Sequence, residues 1–312
     1  MVDISLYNKW RPHQFSEIVG QDIPVGILKG SITNNRLRQA YLLYGMHGSG
    51  KTTLARIFAA AINCQHPNPQ VRPCGQCQAC LSKNMDIVEI DAATNTSIDD
   101  VRALRERIQY LPEIGRKRIY IIDEIHRFSG SAFDALLKMI EEPPPHVIFM
   151  MATTELEKIP DTIKSRCILI PFYPASIDQI EDHLHNISVS ENISIERQAL
   201  HVIAMESKGS MRDAIKLLDQ LVIDPKTTIR TIDVQRFTGV INRDLVKRII
   251  YAIVNGRSKA VVDSIRQAIN DGAIPTKLAQ QIAEAAHSKL IYALNNNDNK
   301  QYGILSNISS MY

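Results

Sequence analysis

Residues Gly45-Met46-His47-Gly48-Ser49-Gly50-Lys51-Thr52 carry the spacing G-x-x-x-x-G-K-[ST]. Glycines at these steps let the backbone wrap closely, so that its N–H groups converge on phosphate oxygens. Lys51 is spaced to reach the β- and γ-phosphates, and the Thr52 hydroxyl to bind magnesium. Met46, His47, Ser49 and Thr53 complete the lining of the loop. An apolar run, Tyr41–Tyr44, precedes the loop and a helical pattern follows it. The loop therefore opens at a helix N-terminus, whose partial positive charge favours phosphate. A carboxylate must complete such a magnesium site, and Asp123-Glu124 follows the apolar run Ile119–Ile122. Asp123 is expected in the magnesium sphere. Glu124 is expected to orient and deprotonate the water that attacks the γ-phosphate. The chemistry implied is binding and hydrolysis of a nucleoside triphosphate.

A second cluster offers metal chemistry. Cys64, Cys74, Cys77 and Cys80 read C-x9-C-x2-C-x2-C. Two-residue spacings let successive thiolates turn onto one ion, and four thiolates close a tetrahedral zinc shell with no open position for catalysis. A structural Zn2+ is expected on the four cysteines, with His66, a loop histidine that could compete, expected to be a bystander. The fifth cysteine, Cys167, stands alone. An odd count, with no basic stretch and apolar core at the N-terminus, argues against a disulfide scaffold or a secretory signal and for a cytoplasmic chain.

These groups need a frame. The chain has 312 residues, 45% of them apolar and 22% charged, the balance of a folded protein of about two or three domains. Lys plus Arg is 36 and Asp plus Glu is 33, a net +3 that does not by itself announce nucleic acid. No apolar run approaches the ~20 residues of a membrane span. Short apolar runs at 41–44, 87–90, 118–122, 147–152 and 168–170 alternate with helical periods at 52–62, 98–110 and 131–142. Strands apolar throughout and separated by helices read as a parallel α/β sheet covered on both faces, with 118–122 expected to be central. From Ser176 only helical periods remain, at 177–187, 196–206, 211–222 and 243–292, with breaks near Gly209 and Pro225. Residues 295–299 read as a polar turn, and the last dozen residues are weakly patterned.

At this point the sequence resembles the clamp-loader ATPases of the AAA+ class, and within them the gamma/tau family of bacterial DNA polymerase III. The likeness rests on Tyr7-Asn8-Lys9-Trp10-Arg11-Pro12, Phe15–Gln21, the phosphate loop, the cysteine module, Ile90–Thr94 and Asp123-Glu124-Ile125-His126. It continues through Ala135–Lys138, Glu141–Pro144, Ala152–Glu155, Ser165-Arg166-Cys167 and Gly209–Ala214, and covers about residues 4–245. The resemblance implies a P-loop ATPase domain over 1–175 with its zinc module at 64–80. A helical lid over 176–240 and a shortened all-helical, collar-like domain over 241–312 would follow. It implies that Thr154 senses the γ-phosphate or its water, and that Arg166 is an arginine finger reaching a neighbour's ATP. Arg212 would contact the nucleotide of its own subunit, and Tyr7, Arg11 and Ile18–Val19 would form the adenine side of the pocket. Fellow subunits of a hetero-oligomeric ring, a sliding clamp and primed DNA are the implied partners. A membrane is not.

Two departures stand out. Arg127-Phe128 follows His126 where the family carries apolar residues, altering a helix junction or adding a DNA contact. The chain also stops at Tyr312, short of a longer collar. Arg102, Arg105, Arg107, Arg116, Lys117 and Arg118 form a basic group that is either a DNA-phosphate contact or a solvated face. Arg212 likewise heads a helix whose Met211, Ile215, Leu218 and Leu221 make an apolar stripe. Two other readings stay open: a DNA-remodelling ATPase such as a branch-migration motor, and a non-hydrolysing structural ring subunit.

Overall fold

In a computed structural model, residues 5–82, 85–94, 98–222 and 227–295 are described. In chain order the elements are α1 (Leu6–Lys9), α2 (Asp22–Thr33), β1 (Ala40–Tyr44), α3 (Lys51–Asn63), α4 (Gln78–Leu81), β2 (Ile87–Asp91), α5 (Ile98–Arg107), β3 (Arg118–Asp123), α6 (Gly130–Glu141), β4 (Val147–Thr153), α7 (Asp161–Lys164) and β5 (Ile168–Pro171). Among the described residues the elements that follow are helices, α8 (Ile177–Ser190), α9 (Arg197–Glu206), α10 (Met211–Leu221), α11 (Thr231–Thr238), α12 (Arg243–Val254), α13 (Ser258–Asn270) and α14 (Pro275–Asn295), with one isolated β-bridge between Ile195 and Ile229. Chain contacts gather these into two compact units. The first runs through Ile187 and takes in Ser207–Asp219; the second holds Ser188–Glu206 and the chain from Gln220.

The five strands form one parallel sheet in the order β2-β3-β4-β1-β5. The middle strand is β4, buried at every residue, so β3 is interior rather than central. Side chains of successive strand residues face opposite sides. Leu42, Tyr120, Ile122, Phe149 and Met151 join α5 and α6 on one side of the sheet. Tyr41, Leu43, Ile119, Ile121, Ile148 and Met150 join α2 and α3 on the other. Burying each such side chain contributes about 1.5–3 kcal/mol, which is why the strands read as unbroken apolar runs.

Periodicity does not mark α2 or α11. Pro24, Gly26 and Gly30 disguise α2, yet Pro24 falls in its first turn, where a missing N–H costs nothing, and Pro24, Leu28 and Ile32 line its buried face. Helix α11 is eight residues long, too short for a clear period. Helix α5 ends at Arg107 rather than Tyr110, because Gln109 and Tyr110 bond back to Glu106 and Arg107 in tighter i→i+3 turns. In the second unit Ile249, Ile250, Ala268, Leu278 and Ala286 make a core shared by α12, α13 and α14. The break near Pro225 and the polar turn after Asn295 lie outside the described residues.

The loop before β3 is clipped from beneath. Buried Asp86 accepts N–H bonds from Glu113 (2.6 Å), Ile114 (2.9 Å) and Gly115 (2.6 Å). Buried Asn63 bonds both ways, accepting from Arg116 and Lys117 N–H and donating to the Lys117 carbonyl. Burial opposes ionisation of Asp86, but the three amides outweigh it and hold the carboxyl below its ordinary value. A carboxylate lowered in the folded state stabilises above its unfolded pKa and loses that contribution as pH falls through the folded one. Asp86→Ala should therefore cost about 1–3 kcal/mol in urea unfolding at neutral pH. The gap to the parent protein should shrink on acidification below about pH 4.

Candidate nucleotide site and cysteine cluster

The strand order brings three carboxyl ends side by side, because β4 lies between β1 and β3. The phosphate loop leaves β1, Thr154 follows β4, and Asp123-Glu124 ends β3. Open α/β sheets bind ligands at such strand ends. Gly48 has φ +73°, and a Cβ there would collide with Ser210 Oγ and lie 3.3 Å from Arg212 Cβ. Only glycine permits both the turn and this close approach of α10.

Lys51 is buried, and its Nζ donates to the carbonyls of Gly45 (2.9 Å) and Met46 (2.8 Å). Burial lowers its pKa, with Glu124 and Asp123 opposing the shift. Thr52 Oγ1 donates to Asp123 Oδ2 at 2.7 Å, so the two expected magnesium ligands meet. Glu124 is a non-glycine residue at φ +51°, a conformation that aims its side chain back toward the loop. Thr154 Oγ1 donates to Glu124 Oε2 at 3.1 Å.

One pocket is lined by His47–Thr53, Asp123 and Glu124, together with Tyr7, Arg11, Val19 and Arg212. Two guanidinium groups lie over the Tyr7 ring, Arg11 at 5.0 Å and Arg212 at 4.9 Å, and Arg11 Nη2 donates to its hydroxyl at 2.9 Å. The Nε atoms of Arg11 and Arg212 are buried without a hydrogen-bond partner. Buried donors of this kind call for an acceptor, and a nucleotide's phosphates and base edge supply acceptors. Trp10, Pro12, His183, Met211 and Ile215 also line the pocket. Sequence reasoning does not single them out for this site, since α8 and α10 reach it only through the fold. Burial keeps the His183 imidazole below its ordinary pKa.

Arg166 does not join this pocket. Its Nη2 pairs with Glu141 Oε1 at 2.7 Å, and its Nη1 donates to the Thr162 carbonyl at 2.9 Å. The neighbouring Cys167 thiol is pushed up to about 12 by burial, so it packs as a neutral group.

The sulfur atoms of Cys64, Cys74, Cys77 and Cys80 all lie within 4.8 Å of one another. A tetrahedral zinc with bonds of ~2.3 Å sets neighbouring sulfurs about 3.8 Å apart, and Cys77 Sγ lies 3.9 Å from Cys64 Sγ. Burial works against a Cys77 thiolate, but N–H groups of Gln65 and Cys80 outweigh it and bring the thiol down to about 6. These residues fit a zinc ion. His66 turns instead to Asn68.

In the basic group, Arg105, Arg107 and Arg116 are exposed. Lys117 donates to the Pro145 carbonyl and Arg118 to that of Leu111. The Arg102 side chain lies outside the described residues. Arg127 is exposed, whereas Phe128 is buried edge-on to Phe133 and so belongs to the core at that junction.

The family model described as "DNA polymerase III, delta subunit" matches residues 20–176, and that of the "DNA polymerase III clamp loader subunit, ATPase lid domain" matches 179–223. The chain is 38% identical over 303 residues to DNA polymerase III subunit gamma of Buchnera aphidicola subsp. Baizongia pistaciae, covering 95% of this chain and 82% of that protein. It is 35% identical to subunit tau/gamma of Haemophilus influenzae and 37% identical to subunit tau of Escherichia coli. These alignments cover 96% and 86% of this chain, but only 45% and 42% of those proteins. The chain thus spans less than half the length of these two relatives. Among solved structures, the Thermotoga maritima RuvB Holliday junction branch migration motor is similar, with a TM-score of 0.56 over 88% of this chain and 91% of that one. At 20% identity this likeness shows the AAA+ fold alone. Among the described residues, no helix is long and apolar enough to cross a membrane.

Proposed function

The chain belongs to the gamma/tau family of DNA polymerase III clamp-loader subunits, and on that premise we propose that it is an ATP-driven motor subunit that helps load a sliding clamp onto primed DNA. ATP binding would close a hetero-oligomeric ring of subunits and open the clamp; hydrolysis would release clamp and DNA. Residues 1–175 would be the ATPase domain, 176–240 the lid and 241 onward the collar-like part. The observation that carries this reading is the division of labour at the site. Lys51, Thr52, Asp123, Glu124 and Thr154 converge, while Arg166 stands apart on the ion pair with Glu141.

In this reading Gly45–Thr53 and Lys51 bind the phosphates, and Tyr7, Arg11 and Val19 hold the base. Glu124 takes the proton of the attacking water, and Thr154 keeps that carboxylate oriented. Thr52 and Asp123 would hold magnesium, which offsets phosphate charge when bound. Arg212 contacts the nucleotide in its own subunit. Arg166 spreads its fixed positive fork over phosphate charge in a neighbour's site. Arg105, Arg107 and Arg116 are the exposed cations available to DNA phosphates. Cys64, Cys74, Cys77 and Cys80 hold a structural zinc.

Two measurements test these assignments. Mass spectrometry of the purified chain should find about one zinc per chain, lost in Cys77→Ser with nucleotide affinity little changed. A metal-free chain of full stability would remove the zinc. For the motor, Lys51→Ala and Arg166→Ala rings should each be nearly inactive in the presence of clamp and primed DNA. Arginine fingers are worth on the order of 10³–10⁵ in rate in well-studied switches, an upper guide where ring opening limits turnover. Mixed rings should recover part of the activity, because an intact pocket can borrow an intact arginine. If mixing restores nothing, and Arg166→Ala slows isolated subunits equally, the arginine acts within its own subunit.

A further inference from the structure

His126 stands between two carboxylates. It sits in the short turn just after β3, and its side chain is only 7% exposed. Nδ1 lies 3.3 Å from Glu124 Oε2 and 3.1 Å from Thr153 Oγ1, while Nε2 lies 3.1 Å from Glu155 Oε1. Both ring nitrogens therefore face acceptors, and an ionised carboxylate can only accept. The far carboxylate is itself fixed. The Glu155 N–H donates to Thr153 Oγ1 at 3.0 Å, and Lys158 pairs with Glu155 Oε2 at 2.6 Å. That lysine first, and His126 and Arg127 after it, hold the Glu155 carboxyl below its ordinary range.

We infer that His126 is a positioning residue for Glu124, a strut anchored at its outer end by Glu155. This rests on the proposed reading of Glu124 as the base. The two oxygens of Glu124 are treated differently. Oε2 accepts from the Thr154 hydroxyl and lies 3.3 Å from His126 Nδ1 in an ion-pair contact, while the hydrogen bond of Nδ1 is to Thr153 Oγ1. Oε1 faces His47 Nδ1 at 3.7 Å, beyond hydrogen-bond reach. One oxygen is pinned and the other is left to take a proton. Glu155 lies at the surface, so a solvent-facing carboxylate is linked to the base through a single imidazole ring.

An asparagine amide nitrogen sits near the place of a histidine Nδ1, and a glutamine amide nitrogen near that of Nε2. His126→Asn thus keeps the arm to Glu124, and His126→Gln keeps only the arm to Glu155. Single-turnover ATP hydrolysis and binding of a fluorescent ATP analogue are measured on the full chain in its assembled ring. His126→Asn should stay within severalfold of the parent rate. His126→Gln should lose on the order of tenfold to a hundredfold in rate, as expected for a misplaced reacting group. Nucleotide affinity should change by less than about twofold in both, because only transition-state interactions are lost. Glu155→Gln, a surface change that does not threaten folding, should slow the parent severalfold and leave the His126→Asn rate unchanged. The strut is overturned if His126→Gln is as active as His126→Asn, or if Glu155→Gln slows both backgrounds alike. Glu124→Gln serves as the reference. If it hydrolyses normally, the base assignment fails and the strut with it; if it is dead while His126→Gln is fully active, only the strut fails.

Discussion

A buried charge has to be answered, and the Lys51 ammonium is the charge around which the first unit is organised. It lies in the interior at the head of α3, where desolvation works against it, and it is compensated by two carbonyls of its own loop and by the nearby acids. Its neighbours follow the same rule. The Thr52 hydroxyl is satisfied by Asp123, and Glu124 by Thr154 and His126. Lys51, Thr52, Asp123 and Glu124 thus each have a protein partner, whereas the buried Nε atoms of Arg11 and Arg212 have none.

The parallel sheet makes this economy reachable. Inserting β4 between β1 and β3 is a non-local choice, since it brings residues from near 45, 123 and 154 to one edge. Crossover helices of ordinary length between parallel strands permit it. Twist and burial on both faces fix the register, so no side chain need reach far. Two of the residues at positive φ, Glu124 and Gly48, lie where the chain turns sharply into the site.

Much of this was legible in the sequence because the relevant signals are local. Loop spacing, strand-end acids and cysteine spacing each occupy fewer than twenty residues, and unbroken apolar runs mark the covered strands. The order of strands in the sheet is not local, so β3 reads as central when β4 holds that place. Helix α2 hides behind Pro24 and two glycines whose positions are harmless in three dimensions. The far wall of the pocket, His183, Met211 and Ile215, lies well over a hundred residues from the loop, and among these only Met211 falls within a motif, where Arg212 rather than Met211 draws attention. Within the basic group, only the structure separates the exposed Arg105, Arg107 and Arg116 from Lys117 and Arg118, whose charged ends bond to backbone carbonyls.

The contact between Gly48 and Ser210 carries a consequence for inheritance. The two positions are 162 residues apart in the chain, yet one can hold no side chain because of what the other places against it. A methyl group at 48 must displace the Ser210 side chain, whose Oγ also accepts from the Asp213 N–H, and it presses on Arg212 Cβ as well. The phosphate loop and the helix that faces it are therefore free to drift only together. A change at 48 can thus displace Arg212 while the rest of the loop stays intact, and because the turn at φ +73° itself calls for glycine, compensation at the start of α10 does not by itself free the position.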